Sequence, residues 1–181
     1  MDYSQCKTMR IAIADGIARV TLDNGEINLF DGQMFKEMSQ LAGALAEDDS
    51  VRVVILHSAN PDFFIAHFDV GQILKYAPDR EVSTTDLKPF HIMCETFRTM
   101  PKATIAVIEG RVGGGGSELA LSCDMRFALR GKAVFNQPEV ALGILPGGSG
   151  TVRLPRLIGR SRALEVVLGC DDVDADLAQA W

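Results

Sequence analysis

The segment KATIAVIEGRVGGGGSELALSCD, residues 102–124, decides the fold that we expect for this chain. It begins with a buried-type strand, ATIAVI at 103–108, continues through four consecutive glycines at 113–116, and ends in a helical stretch, SELALS at 117–122. Glycines let the backbone approach a ligand closely and adopt dihedral angles that other residues avoid. This order of elements can bind an anionic oxygen at the helix start, or can simply pack strand against helix. Phosphate binding is less favoured, because the run lacks the Lys-Ser/Thr ending of a P-loop and the spacing of a dinucleotide fingerprint.

The rest of the chain alternates strand-like and helix-like patterns, which indicates an α/β fold with crossover connections. Apolar and β-branched runs predict further strands at 11–14, 17–22, 51–56, 125–129 and 133–135. Apolar residues at helical spacing predict helices at 32–47, 85–99, 151–157 and 161–168, and a last helix that begins after Asp174. A polar stretch at 77–85 is typical of an exposed loop. No linker divides the chain, so we expect one domain over residues 1–181.

Local patterns add detail at three of these elements. The Asp15-Gly16 dipeptide predicts a two-residue hairpin turn between the first two strands. Asp31 is a plausible N-cap for the first long helix. The inner face of that helix is predicted to carry Met34, Met38, Leu41 and Leu45. The inner face of the helix at 85–99 is predicted to carry Leu87, Phe90, Cys94 and Phe97.

Composition and charge exclude several classes of protein. The formal net charge of −6 disfavours a nucleic-acid partner, which requires a basic face. The N-terminus lacks the pattern of a signal peptide and no apolar run reaches membrane-spanning length, so we expect a cytoplasmic protein with no membrane contact. Four cysteines and three histidines are scattered along the chain, which predicts reduced thiols and no metal site.

Two glutamates are candidate acid–base residues. Glu118 lies in the first turn of the helix after the glycines, among apolar neighbours that would bury it, and Glu139 follows Pro138 in another apolar stretch. Each can equally be a solvated acid that complements a helix dipole. If both are buried close together, they could hold one water between them, with one carboxylate ionised and the other protonated.

The sequence resembles the enoyl-CoA hydratase/isomerase (crotonase) family. The central segment at 102–124 looks like the family signature, and FNQPEVALGILPGGSGTVRLPRLIGRSRALEVVLG at 135–169 is similar to the segment that follows it. DFFIAHFDV at 62–70 is similar to the family loop that holds the thioester and coenzyme A. The resemblance implies an α/β spiral of β-β-α repeats in which the C-terminal helical part is largely missing. It also implies assembly into trimers or hexamers.

The resemblance assigns roles to particular residues. It implies that the backbone N–H groups of Phe68 and Gly115 form an oxyanion hole for the thioester oxygen, and that Glu118 and Glu139 are catalytic. The residues implied to contact the acyl-CoA are Phe68, Asp69, Val70, Gly71, Gly114 and Gly115. No separate cofactor is implied, since coenzyme A is part of the substrate.

The implied reaction is addition of water to a 2-enoyl-CoA. One glutamate would take a proton from the water as its oxygen attacks C3, and the other would supply a proton to C2. Two alternatives stay open: double-bond isomerisation or other enolate chemistry on an acyl-CoA, and a catalytically weak protein that binds coenzyme A.

The sequence departs from the family pattern at three places. His67 and Phe68 replace a small Gly-Ala pair, and their side chains either narrow the acyl pocket or pack outward. Gly71 stands where many members have a lysine that reaches a coenzyme A phosphate. The sequence stops at Trp181, in what the resemblance makes an early helix of the C-terminal part. If the protein ends there, apolar surface on the core is expected to be exposed; the alternative is that the sequence is part of a longer chain.

Overall fold

The computed structural model describes residues 3–75 and 86–181. The strands are β1 (Met9–Ala14), β2 (Ile17–Leu22), β3 (Val53–Ser58), β4 (Phe63–Ile65), β5 (Ala103–Ile108), β6 (Arg111–Gly113), β7 (Met125–Ala128), β8 (Val134–Asn136) and β9 (Val173–Asp174). The α-helices are α1 (Gly32–Glu47), α2 (Val70–Ile73), α3 (Pro89–Thr99), α4 (Gly115–Ser122), α5 (Gly150–Ile158), α6 (Arg160–Gly169) and α7 (Ala175–Ala180). The loop predicted at 77–85 lies outside the described residues.

The strands form two sheets that the chain visits alternately. One sheet has the order β1-β2-β3-β5-β7 and the other the order β4-β6-β8-β9. The pairs β3–β4, β5–β6 and β7–β8 each give one strand to each sheet before the chain returns through helices. Within the described residues, the pairs β1–β2 and β8–β9 are antiparallel and the other neighbouring strands of each sheet pair in parallel. The expected α/β spiral of β-β-α turns is therefore the observed architecture.

Turn and capping residues near the N-terminus form the local structures that the sequence predicts. Asp15 and Gly16 both have positive φ angles, 53° and 79°, as a tight hairpin turn requires. The Asp31 carboxylate accepts a hydrogen bond from the Met34 N–H and so caps α1. The predicted inner face of α1 is fully buried at Met34, Met38, Leu41 and Leu45.

Several boundaries differ from those predicted, and the largest differences are at α3, β3 and α4. The third helix begins at Pro89 rather than at 85, because proline fits the first helical turn and forces extended backbone on Lys88. Leu87 therefore lies outside the helix and is 54% exposed, although Cys94 and Phe97 are buried as predicted. β3 covers Val53–Ser58 instead of 51–56, and α4 begins two residues early, at Gly115.

The core lies between the two sheets and the helices that return between them. Its largest fully buried side chains include Phe30, Phe64, Phe97, Leu22, Leu56 and Ile108. Within the described ranges, no group of three or more His, Cys, Asp or Glu side chains could hold a metal ion, and no helix is both long and apolar enough to cross a membrane. All four cysteines are free thiols.

Gly110 fixes the path from β5 into β6 and the glycines that follow. A methyl group at this position would lie 2.2 Å from the carbonyl carbon and oxygen of Asp62. That close approach allows the Arg111 N–H to donate to the Asp62 carbonyl at 2.8 Å, which aligns β6 with β4. Glycine is therefore required here by space and not by a turn.

We expect Gly110→Ala to lower the free energy of unfolding by roughly 3 kcal/mol or more, because the added methyl group must displace backbone atoms. Gly43→Ala is the matched control. Gly43 lies in α1 with nothing within 4 Å of an added methyl group, so the substitution should stabilise the protein by about 0.5–1 kcal/mol. Urea denaturation of both variants measures the two changes. Similar values for the two substitutions would contradict the packing argument.

Candidate active site

In the extended segment before α2, the backbone N–H of Phe68 points away from the side on which residues 67 and 69 form hydrogen bonds. Phe30 donates its N–H to the His67 carbonyl at 3.0 Å and accepts from the Asp69 N–H at 3.1 Å. Residues 67 and 69 of this extended segment thus face Phe30, and the N–H of Phe68 between them points to the opposite side. Among the described residues, the Phe68 N–H donates to no backbone carbonyl.

The glycine loop, residues 113–116, lies directly against this segment. A methyl group at Gly113 would lie 2.5 Å from the Ala66 carbonyl oxygen, and one at Gly115 would lie 3.2 Å from Cβ of Phe68. Gly114 has φ 49° and ψ −125°, a conformation that only glycine adopts easily. Its own N–H donates to the Asn136 carbonyl at 3.1 Å.

Gly115 is the first residue of α4, so its N–H has no acceptor within the helix. The contact between Gly115 and Phe68 places these two residues side by side, and both carry an amide free of backbone partners within the described part of the chain. Two such donors beside a helix N-terminus can stabilise a negatively charged oxygen.

Glu118 is 3% exposed and projects from the first turn of α4. One carboxylate oxygen, Oε1, accepts hydrogen bonds from the N–H groups of Gly148 and Gly150, each at 2.8 Å. The pKa of Glu118 is raised to about 7, chiefly by burial and also by the charge of Glu139, although the two amides and Arg153 lower it in part. A carboxyl group with this pKa can take or give a proton near neutral pH.

Glu139 approaches the same region from the loop after β8. It is 8% exposed, and its Oε2 atom accepts a hydrogen bond from Nε2 of Gln137 at 3.1 Å. Its other oxygen, Oε1, would lie 3.1 Å from a methyl group at Gly114. Burial raises the pKa of Glu139 above the usual value. The two glutamates therefore flank the glycine loop, and the charge of Glu139 contributes to the raised pKa of Glu118.

Four phenylalanine rings form one side of this site. Phe68 packs against Phe30, Phe35 and Phe90 with ring centroids 5.7, 6.4 and 5.8 Å away. The Phe90 ring also touches Gly115 and Gly148, since methyl groups there would lie 3.3 and 2.5 Å from its edge. The Phe68 side chain thus packs inward against the other three rings and does not pack outward.

The other residues of the predicted acyl-CoA segment have ordinary structural roles. His67 places Nδ1 2.8 Å from the Phe68 carbonyl oxygen. Asp69 caps α2 and accepts a hydrogen bond from the Gly71 N–H at 2.9 Å, while Val70 is 36% exposed. Residues 69–71 therefore form a short exposed turn next to Phe68.

Sequence reasoning missed the residues that hold Glu118 in place. The amides of Gly148 and Gly150 bind its carboxylate, and Ser149 between them bonds to Arg153. The one signal was the glycine-rich run PGGSG at 146–150, which reads equally well as a turn. Gln137 was also missed, because an isolated glutamine carries no pattern.

Comparison with known proteins places these features in a family. Residues 12–181 match the model of the enoyl-CoA hydratase/isomerase family. The fatty acid oxidation complex subunit alpha of Shewanella halifaxensis is 37% identical over 161 residues, which are 85% of this chain and 22% of the relative. The chain thus spans about a fifth of the length of the curated relatives that it matches.

Solved structures agree with this placement. A candidate enoyl-CoA hydratase from Streptomyces avermitilis superposes with a TM-score of 0.86 at 38% identity, covering 96% of this chain and 65% of the other. The enoyl-CoA hydratase of Bacillus anthracis superposes with a TM-score of 0.84 at 29% identity, covering 96% of this chain and 67% of that one. The architecture seen here is therefore the crotonase fold.

The raised pKa of Glu118 predicts a pH dependence of stability. Its pKa in the folded protein, about 7, lies above the ordinary value of 4.5, so the contribution to stability is complete below pH 4.5 and is lost as the pH rises to 7. Compared with Glu118→Gln, the wild type should lose about 2–3 kcal/mol of unfolding free energy across that interval. Urea denaturation at several pH values measures the difference.

Glu139→Gln provides the control for this prediction. Removing the charge of Glu139 removes one cause of the raised pKa of Glu118, so the loss should be complete at a lower pH than in the wild type. Identical pH dependence in the wild type and Glu118→Gln would contradict the buried, titrating carboxyl group.

Proposed function

Since this chain belongs to the enoyl-CoA hydratase/isomerase family, we propose that it adds water to a 2-enoyl-CoA thioester. The observation that carries the proposal is one small site with two buried carboxyl groups of raised pKa and two backbone amides free of backbone partners within the described ranges. In hydration, the two amides would stabilise the charge that the thioester oxygen gains. The two carboxyl groups would transfer the protons at the adjacent carbons.

In the proposed mechanism, the N–H groups of Phe68 and Gly115 donate to the thioester oxygen. They stabilise the charge that this oxygen gains as water attacks C3 and the electrons of the double bond move toward the carbonyl. A water between Glu118 and Glu139 is the nucleophile. One carboxylate takes its proton, and the other carboxyl group gives a proton to C2, which restores the neutral thioester. Interacting carboxyl groups titrate as a pair, so the two proton transfers are assigned to the pair.

Two further features of the proposal concern binding and assembly. Residues 68–71 and 114–115 would contact the acyl-CoA, whose coenzyme A is part of the substrate. A homo-oligomer, trimer or hexamer, is supported by large apolar side chains that are exposed on and beside α6: Val140, Leu142, Ile144, Leu145, Leu164 and Leu168.

We expect Glu118→Gln and Glu139→Gln each to lower kcat for hydration of crotonyl-CoA by about 10²–10⁴-fold, because each removes a proton-transfer group and leaves a similar shape. Loss of the 2-enoyl thioester absorbance measures the rate. Glu165→Gln, at an exposed position of α6, is the matched control and should keep the wild-type rate. Wild-type rates in either active-site variant would refute the paired-acid role. A 3-enoyl-CoA assayed in parallel tests isomerisation, which would require product with a shifted double bond and no added water.

The cluster of four phenylalanine rings, Phe30, Phe35, Phe68 and Phe90, predicts a preference for short acyl groups. Phe90 lies against Gly115 and Gly148, next to Glu118, and so occupies space that a long acyl chain would need. Phe90→Ala should therefore raise the ratio of kcat/KM for 2-decenoyl-CoA to that for crotonyl-CoA by about 10-fold or more. Phe127→Ala is the control, since Phe127 is 58% exposed on β7 and should leave the ratio unchanged. An unchanged ratio in Phe90→Ala would reject this role of the ring.

A further inference from the structure

Ser149 has a backbone conformation that serine rarely adopts. Its φ angle is 116° and its ψ angle is 0°, in the left-handed region that favours glycine. The residues on both sides are glycines, so the strained position is occupied by the one residue of the three that has a side chain. Strain of this kind persists only when the surrounding structure holds it.

The conformation of Ser149 has a direct consequence for Glu118. It turns the N–H groups of Gly148 and Gly150 toward the same oxygen, Oε1, and both bonds measure 2.8 Å. Backbone amides that converge in this way form a small concave site for an anion. A change of backbone angle at Ser149 would turn at least one amide away.

The Ser149 hydroxyl is the group that can hold this conformation. Its oxygen accepts a hydrogen bond from Nε of Arg153 at 2.8 Å, and Arg153 is only 7% exposed. The other end of the guanidinium donates from a terminal nitrogen to Oε1 of Glu95 on α3 at 2.7 Å. Glu95 is fixed in turn by Arg98 at 2.7 Å. A planar guanidinium can make both contacts at once, and an ammonium group cannot reproduce that geometry.

We propose that Ser149 and Arg153 are positioning residues for Glu118, and that their hydrogen bond locks the turn whose two amides bind the glutamate. The inference rests on the proposed function for its catalytic consequence, but its structural part can be tested without activity. The competing view is that Arg153 only ties α5 to α3 through Glu95 and leaves the turn to form by itself.

Several charged or titratable groups face Glu118 and could also affect its pKa. Glu139 approaches from the loop after β8, Arg153 from α5, and the thiol of Cys94 from α3. The Ser149 hydroxyl is a hydrogen-bond partner of both the Cys94 thiol and Arg153, so each of them loses that partner when the hydroxyl is removed. Ser149→Ala and Ser149→Gly cause the same losses at Cys94 and Arg153, so a comparison of the two variants isolates the effect of the backbone angle.

The decisive comparison is between Ser149→Ala and Ser149→Gly. Both remove the hydroxyl, but only alanine keeps the side-chain carbon that makes a positive φ angle unfavourable. If the hydroxyl locks a strained turn, alanine should release it, whereas glycine adopts the same angle without help. We expect Ser149→Ala to lower kcat for crotonyl-CoA about 10-fold with KM within about twofold, and Ser149→Gly to recover most of that loss.

The readout that does not depend on activity is the titration of Glu118 itself. Carbon-13 NMR of protein labelled at glutamate carboxyl groups follows each residue, and Glu118→Gln identifies the Glu118 signal by its absence. Loss of a converging amide should raise the pKa of Glu118 in Ser149→Ala by about half a pH unit or more, and Ser149→Gly should restore it toward the wild-type value. Equal pKa values in the two variants would overturn the proposal. If the wild type does not hydrate any enoyl-CoA, the proposed function fails, and this titration still decides whether the lock exists.

Arg153 gives a second test in case Ser149→Ala does not fold. Arg153→Lys keeps the positive charge but cannot contact Ser149 and Glu95 together. We expect it to raise the pKa of Glu118 and to lower kcat, whereas Arg156→Met, at an exposed position of the same helix, should alter neither. A wild-type titration of Glu118 in Arg153→Lys would show that the charge alone matters, which would also overturn the proposal.

Discussion

The candidate active site depends on one close backbone contact, that between residues 65–68 and the glycine loop. Gly113 lies against the Ala66 carbonyl and Gly116 against Ile65, and a methyl group at either glycine would come within 2.5 Å of these neighbours. The contact of Gly115 with Phe68 is looser, since a methyl group there would lie 3.2 Å from Cβ of Phe68. This contact puts the start of α4 beside the Phe68 amide. It places the two proposed donors and Glu118 one turn along the helix, whereas Glu139 comes from the loop after β8.

Near that contact, the surroundings of the two glutamates have opposing effects on the pKa values of their carboxyl groups. Burial favours the protonated forms of Glu118 and Glu139, and the charge of Glu139 adds to this effect at Glu118. The Gly148 and Gly150 amides favour the ionised form of Glu118. A balance near pH 7 results for Glu118. The balance is sensitive to geometry, since one hydrogen bond to a buried carboxylate changes its proton affinity far more than the same bond would in water.

The sequence predicted the features that depend on short stretches of chain. The order of strand, glycines and helix at 103–122, the hairpin at Asp15 and the cap at Asp31 follow from neighbouring residues. The boundary of α3 was wrong because a proline outweighed the apolar spacing before it. The support of Glu118 by Gly148 and Gly150 could not be read from the chain, since 30 and 32 residues separate the partners and neither glycine has a side chain to suggest it.

Ser149 illustrates why such a residue escapes sequence reasoning and yet reports on function. In a sequence it is one more small polar residue in a turn, and only its φ angle reveals that the backbone there is held against its preference. A site that must aim two amides at one oxygen can obtain the required angle from glycine, which leaves it flexible, or from a side chain that is locked by a partner. This chain uses a serine, and the buried Arg153 supplies the partner. The conformation of the turn and the proton affinity of Glu118 are therefore coupled, because the same bond that restrains the backbone keeps both amides on the carboxylate.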